Sequence, residues 1–310
     1  MIKSVGVVRF SVLSTVYNKF QAWNDQPFKD YAEVILDDQR MQSRFQLFEN
    51  ITLPSFDAQT EKSFALLVVA PRLLDDKWKE RLSALQRRYR FLRVFYVHEK
   101  DFRMSHVSKR IVDEIVPDAD YFSTFRVDDD DAMKEDFIQR LSYYHRKAFV
   151  GFGVSFSKGH YLDIDFKSGM YGLRPKQRTN IGAGLAFIGS KEKPQCIFDI
   201  SDGHLNFHTK RSVVVDGRKD AFLVLNHDSN DTEGSRHGNE YPLTIGEASK
   251  EIAELGYRVN LAGLVASRRD GLPDLNASVC VGCGDEYRTP SKHNHDDFCD
   301  TCTDKENGAH

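Results

Sequence analysis

YFSTFRVDDDD, residues 121 to 131, joins an apolar run to four consecutive carboxylates. The β-branched and aromatic residues from Tyr121 to Val127 predict a strand. Four adjacent carboxylates repel one another, so the arrangement costs stability unless solvent or a cation neutralises it. In an open α/β sheet the carboxyl end of a strand is where ligands bind. Alternate residues of an extended chain share a side, so Asp128 and Asp130 are expected to meet one cation, with Asp129 and Asp131 facing the other way if the strand continues. Hard oxygen donors suit Mg2+ or Mn2+. The following AMKEDFIQRL places Met133, Phe137 and Leu141 at helical spacing and predicts a helix from near Ala132. Carboxylates that merely cap such a helix are the plainer alternative.

Outward from this segment, strand and helix patterns alternate. Ser4 to Phe10, Ser63 to Ala70 and Phe91 to Val97 read as buried strands. Helical spacing appears over Asp37 to Asn50 (Met41, Phe45, Phe48) and Asp75 to Arg90 (Trp78, Leu82, Leu85, Tyr89), and Met104 to Val116 is a further helical segment. This alternation predicts a mostly parallel sheet flanked by helices. The second half is less regular, with strand candidates at Ala148 to Ser155, Ala183 to Ile188, Ser212 to Val215 and Ala221 to Leu225, then a helix over Ile245 to Leu255. Gly151-Phe-Gly153 and Gly182-Ala-Gly184 lack the third glycine of a dinucleotide fingerprint, and no Gly-Lys-Ser/Thr phosphate loop occurs.

The chain has 310 residues, 43 Lys and Arg against 46 Asp and Glu, and a net charge of -3, a balance that does not favour nucleic acid as the partner. Its mean hydropathy is -0.50, and no apolar run is long enough to span a bilayer. The N-terminal MIKSVGVVRFS lacks a cleavage site, so a cytoplasmic location is expected, with a peripheral seat on the inner membrane face left open.

Several blocks together resemble a known family. VVRFS (Val7 to Ser11), RFQLFENITLPSFDAQT (Arg44 to Thr60), FRVDDDDAM (Phe125 to Met133) and NHDSND (Asn226 to Asp231) are similar to a bacterial rhamnosyltransferase family of GT-A fold, over roughly residues 1 to 235. The resemblance implies a GT-A (Rossmann-like) α/β domain over residues 1–271 that moves a sugar from a nucleoside diphosphate donor to a saccharide or lipid-linked acceptor, in surface polysaccharide synthesis. A cation at Asp128 and Asp130, supported by Asp131, would neutralise the departing diphosphate. Arg9 and Arg126 are either nucleotide or phosphate contacts or salt-bridge partners of the same acidic cluster. By resemblance His227 completes the metal or diphosphate site. Asp202, ahead of Asp199, is the candidate general base, the plainer alternative being a helix cap.

Cys280-Val-Gly-Cys283 and Cys299-Asp-Thr-Cys302, fifteen residues apart, have the spacing of a four-thiolate Zn2+ site with no open coordination position. Residues 272–310 are therefore expected to be a linker and a structural zinc-binding segment, with a docking role toward a protein partner. His293 and His295 are substitute ligands, and Cys196 reads as a buried small residue. Two other classes fit less of the chain. A non-catalytic sugar- or nucleotide-binding adaptor would carry its function in the zinc segment, and a phosphohydrolase would use the same carboxylates without an acceptor.

Overall fold

The computed structural model describes residues 1–13, 27–100, 102–166, 168–200, 204–227 and 243–270, with two short strands at 277–279 and 286–288. The first half runs β1 (Ser4–Arg9), α1 (Phe28–Ile35), α2 (Asp38–Leu47), α3 (Leu53–Asp57), β2 (Phe64–Pro71), α4 (Asp76–Arg88), β3 (Leu92–Val97), α5 (His106–Arg110) and β4 (Tyr121–Arg126). The second runs β5 (Ala132–Met133), α6 (Phe137–Ser142), β6 (Gly153–Phe156), β7 (Lys158–Asp165), β8 (Met170–Gln177), β9 (Ala186–Ser190), α7 (Ile197–Ile200), β10 (Val213–Asp216), β11 (Phe222–Asn226), α8 (Ile245–Glu254), α9 (Leu261–Asp270), β12 (Ala277–Val279) and β13 (Glu286–Arg288). Contacts divide the chain into two compact units, residues 1–261 and 262–310. In the second unit β12 and β13 pair antiparallel, Ala277 opposite Arg288.

The central sheet has the order β10-β6-β9-β4-β1-β2-β3 and is mainly parallel, with β9 antiparallel to both of its neighbours. A strand covered on both faces reads as a continuous apolar run, because each alternate residue enters a different core. Val5 and Val7 of β1 pack on one side with Leu67 and Phe122, while Val8 packs on the other with Leu66 and Phe125. A second sheet, β5-β11-β7-β8, is joined to the first through the segment after β4. Among the described residues no helix is long and apolar enough to cross a membrane.

The expected strands and helices of the first half are present within a few residues. Helix α2 is capped by the Asp37 carboxylate, which accepts the Arg40 amide at 3.0 Å, and it buries Met41 and Phe45. Both α2 and α5 lead directly into π-helical turns, at Phe48–Thr52 and Ile111–Ile115. Two expectations need correction, and the β7–β8 hairpin was not expected. No helix starts near Ala132: Ala132 and Met133 form β5, paired with Leu223 and Phe222, and α6 begins at Phe137. Ladder bonds to β11 outcompeted the local helical period there. The stretch Ala148 to Ser155 is strand only from Gly153, because Gly151 adopts φ +90° and breaks the extension. The β7–β8 hairpin lacked a strong apolar signal, since its two strands interleave charged and apolar residues. Cys196 is buried, and burial pushes its thiol up to about 12, consistent with a packing residue.

At Gly6 the core on the Phe125 side presses directly on β1. A Cβ there would lie 2.6 Å from Cζ of Phe125 and 2.8 Å from Cδ1 of Leu66. Gly6→Ala should therefore destabilise the fold by about 1–3 kcal/mol through overpacking, measured by chemical denaturation.

Candidate active site

Parallel pairing decides which side chains meet at the carboxyl ends of the central strands. The register sets Val7 opposite Arg126, so two residues further on Arg9 comes level with Asp128. Their side chains form an ion pair with Nη2 3.7 Å from Oδ1. After Arg126 the chain leaves the strand and turns, the Asp131 amide donating to the Asp128 carbonyl at 3.3 Å. The alternation expected of the four carboxylates survives this turn. Asp128 is half-exposed and Asp130 partly so, while Asp129 and Asp131 are buried.

Each carboxylate has a different environment. Nε and Nη2 of Arg44, on α2, donate to the two oxygens of Asp129 at 2.7 Å each. The same Nη2 reaches the Arg9 carbonyl at 3.2 Å, and the guanidinium lies 5.4 Å from the centroid of Phe10. Asp130 Oδ2 is 3.0 Å from Nε2 of His227, which follows β11 directly. The antiparallel pairing of β5 with β11 makes this contact, because it lays the end of the acidic turn alongside Leu225 to His227. Burial and then the neighbouring Asp130 and Asp128 push the Asp131 carboxyl well above the carboxylate range, against one hydrogen bond from the Leu225 backbone. Desolvation would raise Asp128 as well, but Arg9, Arg126 and Arg44 outweigh it and hold this carboxyl below its ordinary value.

Residues 44 to 60, singled out by resemblance without a stated role, form the cradle of this turn. The Thr52 hydroxyl donates to the Asp131 carbonyl at 2.9 Å, and the Ser55 hydroxyl accepts the Met133 amide at 3.2 Å. Gln59 donates to the Lys134 carbonyl and accepts the Ile138 amide, at 2.8 and 3.0 Å. Single hydroxyls and amides in a mostly helical stretch carry no distinctive spacing, so their targets were not readable from the sequence.

On the far side of Asp128 lie Arg126 and His204. Arg126 is buried, its guanidinium 5.2 Å from the ring centroid of Phe198. His204 sits beside Gly182, and burial followed by the charge of Arg126 lowers it to about 4, against a smaller opposite pull from Asp128. The charges of Arg178 and Arg9 lower it further. Asp199 spends both carboxylate oxygens on structure, accepting the Ser108 hydroxyl at 2.8 Å and the Cys196 amide at 2.7 Å. Asp202, Asp228, Asp231, Cys280, Cys283, His293, His295, Cys299 and Cys302 lie outside the described residues. Among the described residues no three His, Cys, Asp or Glu side chains converge to hold a metal ion.

From residue 3 to residue 239 the chain matches the family described as "Putative rhamnosyl transferase". No curated protein matches it. Among solved structures it is similar to S. aureus TarS 1-349 in complex with UDP-GlcNAc, at 12% identity and a TM-score of 0.41, over 74% of this chain and 60% of that one. It is also similar to the inositol-1-phosphate CTP transferase from T. maritima, at 9% identity and a TM-score of 0.29, over 88% and 98% of the two chains. The chain thus spans about three fifths of the TarS chain it aligns with.

Arg44→Gln should destabilise the protein by about 3–5 kcal/mol in chemical denaturation, because it strands the buried Asp129 charge. Asp129→Asn in the same chain should recover part of that loss. In an NMR titration the His204 ring should stay neutral down to about pH 4, and Arg126→Gln should raise its midpoint by removing the nearest opposing charge.

Proposed function

Because this chain belongs to the rhamnosyl transferase family, we propose that it moves a sugar from a nucleoside diphosphate donor to a saccharide or lipid-linked acceptor, using a GT-A-type site at the acidic turn. The observation that carries this reading is the meeting of Arg9, Asp128, Asp130 and His227 at the carboxyl ends of β1, β4 and β11. That is where open α/β sheets bind nucleotides.

The residues suit a divalent cation. Burial first, then Asp130 and Asp128, raise the Asp131 carboxyl, so positive charge brought beside it is stabilising. Mg2+ and Mn2+ are commonly held by one or two carboxylates together with substrate phosphates, so a turn offering Asp128 and Asp130, with Asp131 behind them and His227 alongside, matches their habit better than a closed protein cage would. When bound, the cation supplies Lewis-acid neutralisation of the diphosphate leaving group.

The chain's own groups do the rest. Arg44 fixes the turn through Asp129, so Asp128 and Asp130 are presented without reorganisation. Arg9 and Arg126 give the site a positive lining that attracts the donor phosphates. Transfer makes a bond from the acceptor oxygen to the anomeric carbon and breaks the bond to the diphosphate, while the acceptor hydroxyl loses its proton. In an inverting reaction Asp202 is the group proposed to take that proton, since both oxygens of Asp199 are engaged in structure. The four tail cysteines are proposed to hold a structural Zn2+, and the connection from β12 to β13 carries Cys280 and Cys283.

Asp130→Asn should lower transfer by about 100-fold or more and remove the dependence of nucleoside diphosphate binding on Mn2+. Calorimetry with UDP in the presence and absence of Mn2+ checks the binding arm. Unchanged turnover in this variant would sink the assignment.

A further inference from the structure

A second concavity of about 520 Å³ opens beside β10, at one edge of the central sheet. Arg178, Asn180, Leu205, His208, Arg211 and Val215 contribute to its lining, and among the described residues that line it none is acidic. Arg178 and Arg211 form no ion pair among the described residues; Nη1 of Arg211 donates to the carbonyl of Lys210 at 2.9 Å. Two cationic side chains thus face one cavity whose described lining carries no counter-charge.

Asn180 supplies an independent observation. It is a non-glycine residue at φ +54°, and its amide donates to the Ser155 hydroxyl at 2.9 Å. Only 6% of the residue is exposed. Its side-chain nitrogen lies 2.9 Å from Nδ1 of His208, while Oδ1 is buried with no hydrogen-bond partner. Exchanging the amide's oxygen and nitrogen moves the deficit to the other atom instead of removing it. An unpaired buried polar atom is destabilising, so a ligand hydroxyl that satisfied it would recover stabilisation. Leu205 and Val215, each about half exposed, add apolar surface suited to the C–H face of a pyranose ring.

The cavity also adjoins the acidic site: Leu205 of its lining directly follows His204, which sits beside Gly182, and the Gly184 amide donates at 2.8 Å to the carbonyl of Arg126, two residues before Asp128. We propose that this cavity receives the acceptor, and that the acceptor is an anionic saccharide whose carboxylate or phosphate pairs with Arg178 and Arg211 while a ring hydroxyl meets Asn180. The acceptor role rests on the glycosyltransferase reading above; the anion site rests on the cavity alone.

The test uses the full chain and four probes in calorimetry: tri-galacturonate, glucose 6-phosphate, maltotriose and UDP with Mn2+. At least one of the two anionic probes should bind, weaken with added salt, and lose about tenfold in affinity in each of Arg211→Gln and Arg178→Gln, while maltotriose binds less tightly. Which anionic probe binds distinguishes carboxylate from phosphate. UDP affinity should be unchanged in Arg211→Gln, an exposed position whose substitution spares the core. Equal binding of maltotriose, no binding of either anion, no effect of the two substitutions, or an equal loss of UDP affinity would each overturn the proposal. Arginine-dependent anion binding in a chain that, with Mn2+, binds neither UDP nor any other nucleoside diphosphate would overturn the donor reading and leave the anion site standing.

Discussion

The forked ion pair between Arg44 and Asp129 is the interaction on which the site depends. Four successive carboxylates at a strand end would splay into solvent if their repulsion were unopposed. Here one of the inward-facing pair is locked by two 2.7 Å hydrogen bonds to a helix some eighty residues earlier in the chain. A third bond from the same guanidinium seizes the end of β1. One side chain therefore ties the acidic turn to the end of the first strand, where the strand register brings Arg9 level with Asp128. Such a pair is sensitive to loss of either partner, because the survivor is left as a buried charge.

Charge around the turn is graded. Asp129 is neutralised by Arg44, Asp128 is held ionised by three arginines, Asp130 shares with His227, and Asp131 is the deepest and most strongly pushed toward its protonated form. The gradient runs from an exposed, ionised carboxylate to a buried one that its neighbours discourage from ionising. This is the electrostatic setting in which added positive charge from a ligand is stabilising. On the other side burial, and then the charge of Arg126, drive the His204 ring neutral.

Much of the fold was legible because buried parallel strands leave long apolar runs. Ser63 to Ala70 reads directly as β2, and the spacing of Trp78, Leu82 and Leu85 reads as α4. The β7–β8 hairpin was hidden because its residues alternate between a covered and a wet face, and Ala132–Met133 was misread as helix because two residues carry too little period to reveal a ladder. Of the site, the carboxylates and His227 were visible as residue types. The contact between Asp130 and His227, ninety-seven positions apart, was not.

The sequence alone determined the alternation of elements, the mainly parallel sheet and the placing of an acidic run at a strand end, since each follows from local period and composition. Tertiary structure decided which carboxylate pairs with which cation, that Arg44, Thr52, Ser55 and Gln59 hold the turn, and that Asn180 ends with an unpaired buried oxygen at a cavity that Arg178 and Arg211 also line. The reason is physical: pairing energies depend on distance and burial, and both are set by strand register and helix placement across large separations in the chain.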